Sequence, residues 1–545
     1  MPRVRLEGPV QFFEDMEKKG GPAHTYNGEL YFSAHRGVFT SQAAIKRGNR
    51  KSELALREAE MWGALASWMK PDYAYPQEKM DAAWKLLLFN QFHDILPGSS
   101  IGKVYERARS EHRQIIGEAN AVRDSAVNTL AQGEGLTVFN SLSFARDCLV
   151  TLPDAFRAGA ALQDGTAVPV EGNKALLRLP ACGAVTIYPA KEKAQPVSLA
   201  KAYLTEDGAV LENGLVSVRF SSKGEIVSLI RKETGREFAC GTMNRLLAYK
   251  DVPRTFDAWD IDSNYIEQPI ELSEPVTLTV RQGSGLEAVL HVERKVMHSD
   301  FSQDIVLRAD KERLDFVTTV DWHELHRLLK VSFAGNVQAS EGINEIQFGF
   351  MKRPTHRSRQ YDQDRFEVCN QRYSALADEA HGFAVLNDCK YGISMLDNEM
   401  QLTLLRAPAS PEMRADNGKN EFTYSLLPWD GPFLDSPVVD EAYDLNVPPV
   451  LAAGACEPFS AFSLSAPNVY IDTVKPAEDG SGDLILRLYE AKNADTACQL
   501  SLNLPCAKAW ATDLLENKKE ELPICNGAVS LHFHNFEVKT LRVAR

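Results

Sequence analysis

The chain has no Cys-x-x-Cys pair and no regular cysteine spacing. Its nine cysteines, at positions 148, 182, 240, 369, 389, 456, 498, 506 and 525, are scattered over 545 residues. Cysteine-ladder zinc modules and disulfide frameworks are therefore not indicated, and an odd count leaves at least one thiol without an intramolecular partner. Reduced, buried thiols in a reducing cytosol are the expectation. The chain also lacks any run near the roughly 18 apolar residues of a membrane span, and Met1-Pro2-Arg3-Val4-Arg5-Leu6-Glu7 contains no apolar segment of a secretory signal. A cytoplasmic location is expected. There is no excess of positive charge either: the formal net charge of -14 disfavours phosphate backbones and anionic lipid surfaces, which are held through clustered Lys and Arg. Neither nucleic acid nor membrane is an expected partner. Internal repeats and low-complexity tracts are missing as well.

What remains is an ordinary globular composition, 44% apolar and 25% charged, in a chain longer than one hydrophobic core usually supports. Residues 1–45 are short and irregular, with an acidic helix-like stretch at 12–19 and an apolar strand at Leu30-Tyr31-Phe32, and cannot bury a core alone. From 46 to 132 the period is helical. Leu54, Met61, Trp62, Leu65, Trp68 and Met69 share one face of a 3.6-residue repeat. A second helix starts at Pro76, carries Met80, Trp84, Leu87 and Leu88 inward and runs to His93, before Pro97 stops it. A third, capped by Ser99 and Ser100, buries Ile101, Val104, Tyr105, Ala108, Ile115, Ile116, Ala119, Val122 and Leu130. Together these predict an antiparallel three-helix bundle. After residue 135, short apolar alternations separated by Gly, Asp, Asn and Pro turns indicate β-sandwiches rather than βαβ units. The expected units are a small β-domain at 136–195, a large sandwich at 200–465 and a C-terminal sandwich at 466–545. The fold class is α+β and multidomain.

The most informative string is Gln91-Phe92-His93-Asp94-Ile95-Leu96-Pro97-Gly98-Ser99-Ser100. It places an imidazole and a carboxylate at the end of an apolar helix, ahead of a Pro-Gly stop. This string resembles the histidine segment of glycoside hydrolase family 38, the zinc-dependent retaining α-mannosidases. Further segments are similar to the family in order: Asn27-Gly28-Glu29-Leu30-Tyr31 leading to His35-Arg36-Gly37, Lys46-Arg47-Gly48-Asn49-Arg50-Lys51-Ser52-Glu53, Phe256-Asp257-Ala258-Trp259-Asp260, Val320-Asp321-Trp322-His323-Glu324, Lys352-Arg353-Pro354-Thr355-His356, Leu386-Asn387-Asp388 and Phe422-Thr423-Tyr424. The resemblance implies that 1–45 is a remnant of the end of a catalytic β/α barrel, that 46–132 is the family's central helical domain, and that the large sandwich is galactose mutarotase-like. It also implies that His93 is one of four zinc ligands. The other three ligands, the nucleophilic aspartate among them, and the acid/base are expected upstream of this chain.

Retaining hydrolysis of a glycoside uses a carboxylate nucleophile and a second carboxyl about 5–5.5 Å away, and a zinc ion adds Lewis-acid stabilisation through nitrogen and oxygen ligands. The resemblance makes His93 the metal ligand and Asp94 a group for sugar hydroxyls, against a bland reading of Asp94 as a local cap. One histidine cannot hold zinc tightly, so the metal is expected in the complete enzyme only. His35 and Arg36 are candidate sugar donors at the pocket mouth, with loop anchoring as the alternative. His298-Ser299-Asp300 has His-x-Asp spacing but reads as a β-turn, and His323-Glu324-Leu325-His326 is not the helical zinc motif. The Asp257, Asp260 and Asp262 cluster reads as turn structure. Arg353, Thr355, His356 and Arg357 form a polar loop that is a candidate for substrate or interdomain contact. Three functions follow: part of an α-mannosidase acting on mannose-containing oligosaccharides and inactive alone, a non-catalytic carbohydrate-binding or structural sandwich, or a complement to a separately encoded front half. Self-association through uncovered apolar surface is the expectation for the isolated chain.

Overall fold

A computed structural model describes residues 4–26, 29, 34–192, 194–196 and 198–545. The strand expected at Leu30-Tyr31-Phe32, and Asn27, Gly28, Leu30 and Tyr31 of the segment similar to a barrel loop, lie outside the described residues. The chain divides into two compact units, Met1–Ser33 and Ala34–Arg545. The first contains helix α1 (Pro9–Lys18), which buries none of its residues and whose Asp15 pairs with Arg5.

In the second unit three helices come first: α2 (Ala43–Met69), α3 (Gln77–Asn90) and α4 (Gly102–Leu130). Between the helices one cluster packs Ala55, Leu56 and Ala59 of α2 against Met80, Ala83 and Leu87 of α3 and Ile115, Ala119 and Val122 of α4, whereas Met61, Trp62, Leu65 and Trp68 of the α2 face read from the sequence belong instead to the core shared with the C-terminal sandwich. Each fully buried side chain of leucine size contributes roughly 1.5–3 kcal/mol. The start of α2 has no cap of its own. The Asp416 carboxylate instead accepts the backbone N–H groups of Gln42 at 3.1 Å and Ala43 at 2.5 Å, which satisfies orphan donors and opposes the positive end of the helix dipole. Helices α2 and α4 approach closely at Gly48, where a Cβ would lie 2.7 Å from the His112 ring.

Three details of the helices depart from the sequence reading. Helix α3 ends at Asn90, three residues before His93, because Gln91 turns its side chain back to α2 and the backbone continues as turns. The serines do not cap α4: its N-cap residue is Ile101, and the Ser99 hydroxyl bonds to Asp94. Leu88 and Ile101, assigned inward by period, are 59% and 57% exposed.

From residue 132 onward the regular structure is mostly antiparallel sheet. A nine-stranded sheet, running from Val276–Gln282 to Gly349–Pro354, faces a twelve-stranded sheet. Their facing sides meet where Phe316 and Tyr424 of the first each approach Phe333 of the second at a ring-centroid distance of 6.1 Å. A six-stranded sheet is built on Gln132–Asn140 and Gly183–Pro189, and beside it a three-stranded sheet is built on Arg146–Thr151 and Lys174–Leu179. The strand Val450–Ala455 pairs with Gln132–Asn140, and Phe459–Ser460 pairs with Gly183–Pro189. Residues 450–460, assigned by sequence to the large sandwich, thus return to the smaller sheet, completing an edge that would otherwise be open. Two more sheets, built on Val469–Pro476 and Thr496–Leu502, close the C-terminus. Their core is continuous with Met61, Trp62 and Leu65 of α2. All nine cysteines are unpaired, and no helix among the described residues is long and apolar enough to cross a membrane.

Candidate functional site

The turn at residues 91–100 is built from anchors on two helices. Gln91 donates from its amide to Asn49 Oδ1 and Glu53 Oε1, both at 2.9 Å. Lys46 is 4% exposed, and its ammonium donates to the carbonyls of Ser41 at 2.5 Å, Leu96 at 2.9 Å and Pro97 at 3.3 Å. Burial pushes that ammonium well below its ordinary pKa, while the Asp416 carboxylate opposes the shift. Gly98 has φ 96°, and a Cβ there would lie 2.4 Å from the Ser41 carbonyl oxygen, so only glycine fits where the turn crosses the segment leading into α2. From the other side, the Tyr105 hydroxyl on α4 donates to the Asp94 carbonyl at 3.1 Å and accepts the Ser100 N–H at 2.6 Å. Burial raises the Tyr105 phenol to about 12. Ile95 closes the underside against Ile45, Tyr105 and Ala108.

On this fixed backbone His93 points outward. Its side chain is 75% exposed, and its Nε2 stands 3.4 Å from Asp94 Oδ2. The imidazole rests against the Phe92 ring at a centroid distance of 4.2 Å. Asp94 shows the local contact weighed for it: Oδ1 accepts the Ser99 hydroxyl at 3.0 Å, while the other oxygen faces His93. Leu88, Phe89, Phe92 and Ile101 are each more than half exposed, so the helix end carries apolar surface together with its imidazole. No group of three metal-ligating side chains among the described residues includes His93. His93 and Asp94 can therefore donate to a metal or a sugar but cannot by themselves enclose an ion.

The other sequence candidates separate cleanly. His35 is exposed, in a left-handed conformation at φ 71°. Arg36, expected as a sugar donor, is instead 2% exposed. Its guanidinium donates to the Asp364 carbonyl at 2.9 and 2.7 Å, and its backbone N–H donates to Asp260 Oδ1. A cation with its donors held by carbonyls deep in a loop junction is an anchor, because freeing it for ligand would strand those carbonyls. Asp257 accepts the N–H groups of Ala409 and Ser410 and contacts His326 at 3.0 Å. Asp262 accepts the N–H of Arg254. Both are turn-forming, as read. His298 lies in the turn between two strands, its backbone N–H held by Glu324. Arg353 is 1% exposed and donates to Asn344 Oδ1 and the Cys369 carbonyl, each at 2.9 Å, and Thr355 donates to the Ala339 carbonyl. These two are interior rather than available to substrate. Sequence reasoning placed Tyr105 only on the buried face of its helix and assigned no role to Lys46 or Gln91, yet these three hold the His93 turn. The only signal was that Lys46 and Gln91 both fall inside segments similar to the family.

Comparison with known proteins supplies the context for this geometry. The profile of the alpha mannosidase middle domain matches residues 33–130. That of the glycosyl hydrolases family 38 C-terminal domain matches 211–414, and that of the family's C-terminal beta sandwich domain matches 468–541. Alpha-mannosidase 2C1 of Homo sapiens is 36% identical over 99% of this chain and 53% of its own length. Alpha-mannosidase of Saccharomyces cerevisiae is 28% identical over 93% of this chain and 47% of its own. The chain thus spans about half the length of the curated relatives it matches. The crystal structure of an alpha-mannosidase from Enterococcus faecalis V583 superposes with a TM-score of 0.81 at 16% identity, over 98% of this chain and 72% of that one, which shows a shared fold.

Proposed function

Because the chain belongs to glycosyl hydrolase family 38, with its α-mannosidase middle and C-terminal domains, we propose that it supplies the scaffold and one metal ligand of a zinc-dependent retaining α-mannosidase. The substrates proposed are terminal α-mannosides of oligosaccharides, and the place of action the cytosol. The observation that carries this reading is the His93 imidazole, 75% exposed on a backbone pinned from two helices. In this proposal His93 donates one ring nitrogen to zinc and Asp94 receives sugar hydroxyls. The nucleophile, the acid/base and the remaining ligands come from a barrel to which residues 1–45 contribute the end. Zinc, when bound, polarises and orients the sugar's oxygens. The exposed Leu88, Phe89, Phe92 and Ile101 are proposed as part of the surface that meets this barrel, since apolar side chains clustered around a functional group mark a contact site.

The test is to measure zinc content and turnover of an aryl α-mannoside for the chain alone and for the chain joined to a segment covering the rest of its relatives' length. The chain alone should be inactive, because a lone imidazole supplies neither a nucleophile nor a closed metal site. The joined protein should bind zinc and turn over. His93→Ala should remove both, and Asp94→Ala should slow turnover with zinc retained. Full zinc and full activity in His93→Ala would show that this histidine has been given the wrong role.

A further inference from the structure

The C-terminal sandwich gathers a second set of metal-ligand side chains that the proposed mannosidase chemistry does not use. His532 lies on the strand Ala528–Phe533 and His534 follows directly after it, two residues apart. Side chains at that spacing on extended chain project to the same face. Asp495 stands opposite, just before the paired strand Thr496–Leu502, whose Thr496 and Ala497 face Phe533 and His532 in register. One carboxylate oxygen of Asp495 lies 3.2 Å from His532 Nε2, and the other lies 3.2 Å from His534 Nδ1. The two rings are inclined at 79° to each other, and one donor atom from each of the three residues falls within 4.8 Å of the others.

We propose that Asp495, His532 and His534 form a surface site for a borderline divalent transition metal, with zinc, nickel, cobalt or copper as the class of ion. Two donors each about 2.1 Å from a tetrahedral ion stand about 3.4 Å apart, so each nitrogen–oxygen separation is within a few tenths of an ångström of that value, and rotation of the exposed imidazoles brings the three donors, already within 4.8 Å of one another, to one ion. Two imidazoles and one carboxylate suit these metals, whereas calcium and magnesium prefer oxygen alone. Water takes the open position, because all three side chains are more than half exposed. The loops that carry the ligands are already joined. The Asn535 amide donates to the Asn493 carbonyl at 2.7 Å and to its side-chain oxygen at 3.0 Å, and Glu537 holds the His534 N–H at 2.9 Å. Asn493 and Phe536 adopt left-handed conformations, φ 63° and 57°, at the two bends. Binding there ties residues 493–495 to 532–535, so the metal is a clasp across two chain reversals of this sandwich.

The experiment uses the full 545-residue chain without a polyhistidine tag, stripped with chelator and titrated with zinc chloride by calorimetry. Cobalt chloride, followed by its visible absorption, reports nitrogen coordination. Wild type should bind with a saturable step that His532→Ala and His534→Ala each weaken by roughly 10- to 100-fold, the loss that even supporting partners of metal ligands cause. His93→Ala should leave that step in place, which separates this site from the one proposed for the mannosidase. Thermal unfolding of the metal-free variants should match wild type, since the replaced side chains are exposed. Absence of a saturable step, or a step unchanged in both variants or lost in His93→Ala alone, would overturn the proposal and leave Asp495 as a hydrogen-bond acceptor between two imidazoles.

Discussion

Acidification should strip a defined amount of stability from the helical region through one residue, His112. It lies on α4 and is 3% exposed. Its Nδ1 is 3.0 Å from the Ser52 hydroxyl, its Nε2 is buried without a partner, and its ring packs against Gly48 with no room for another atom. Burial disfavours the charged form and lowers its pKa from 6.5 to about 4, against a weak upward pull from Glu111. Between those values the unfolded state holds more protons than the folded state, so stability falls as the pH falls. The contribution is complete above about pH 6.5, declines through the interval and is lost below about pH 4. At 1.36 kcal/mol per pH unit the interval amounts to at most about 3 kcal/mol, a large share of the 5–15 kcal/mol typical of a domain. The assay is urea unfolding followed by helical circular dichroism at pH 7, 6, 5 and 4, on wild type and His112→Gln. Carboxylates that titrate in the same range are common to both proteins, so the difference isolates the imidazole. Wild type should lose about 3 kcal/mol relative to the variant between pH 7 and 4. Parallel curves within about 0.5 kcal/mol would mean that His112 reaches water in the folded protein, and the reasoning would fail.

Arg36→Ala should destabilise by about 2–3 kcal/mol, because it leaves the Asp364 carbonyl unpaired in a buried junction; chemical unfolding checks it, and a neutral result would return Arg36 to the list of groups free for ligand. Lys46→Met should cost about 1–3 kcal/mol and speed amide hydrogen exchange selectively in residues 91–100, since three carbonyls lose their common donor. His93→Ala should leave stability within about 0.5 kcal/mol of wild type, as expected for an exposed position away from any cap or network; a larger loss in thermal unfolding would assign His93 a structural role.

Where local periodicity carries the information, the sequence was readable. The three helices and the inward placement of Met80, Leu87, Ile115 and Ala119 follow from a 3.6-residue repeat that any buried helix must show. The end of α3 was misread by three residues because Gln91, an acceptable helix former, is drawn away by Asn49 and Glu53 some forty positions earlier. The fate of 450–460 was illegible for a related reason: strand alternation says that a segment is strand, not which sheet it joins, and its partner lies about 315 residues upstream. Arg36 shows the same limit at a site residue. Beside an exposed histidine it reads as a surface donor, and only the arrival of Asp364, 328 positions later, makes it interior. His93 could be singled out as a candidate because ten neighbouring residues resemble a family motif, whereas the residues that fix its backbone could not be named from spacing alone.

That backbone bears on how the proposed enzyme would acquire its metal. A ligand on a mobile loop must be ordered when the ion binds, at roughly 1–2 kcal/mol of backbone entropy per residue fixed. Here Lys46, Gln91 and Tyr105 already hold residues 91–100, and α2, which supplies the first anchor, is locked in turn by Trp62 against Phe139 and the C-terminal sandwich. Only the rotamers of His93 remain to be fixed when the other ligands arrive. A preorganised ligand of this kind gives metal affinity that depends on packing some distance from the ion. Loosening Lys46 should therefore weaken zinc binding in the assembled enzyme even though its ammonium contacts only carbonyls of the protein.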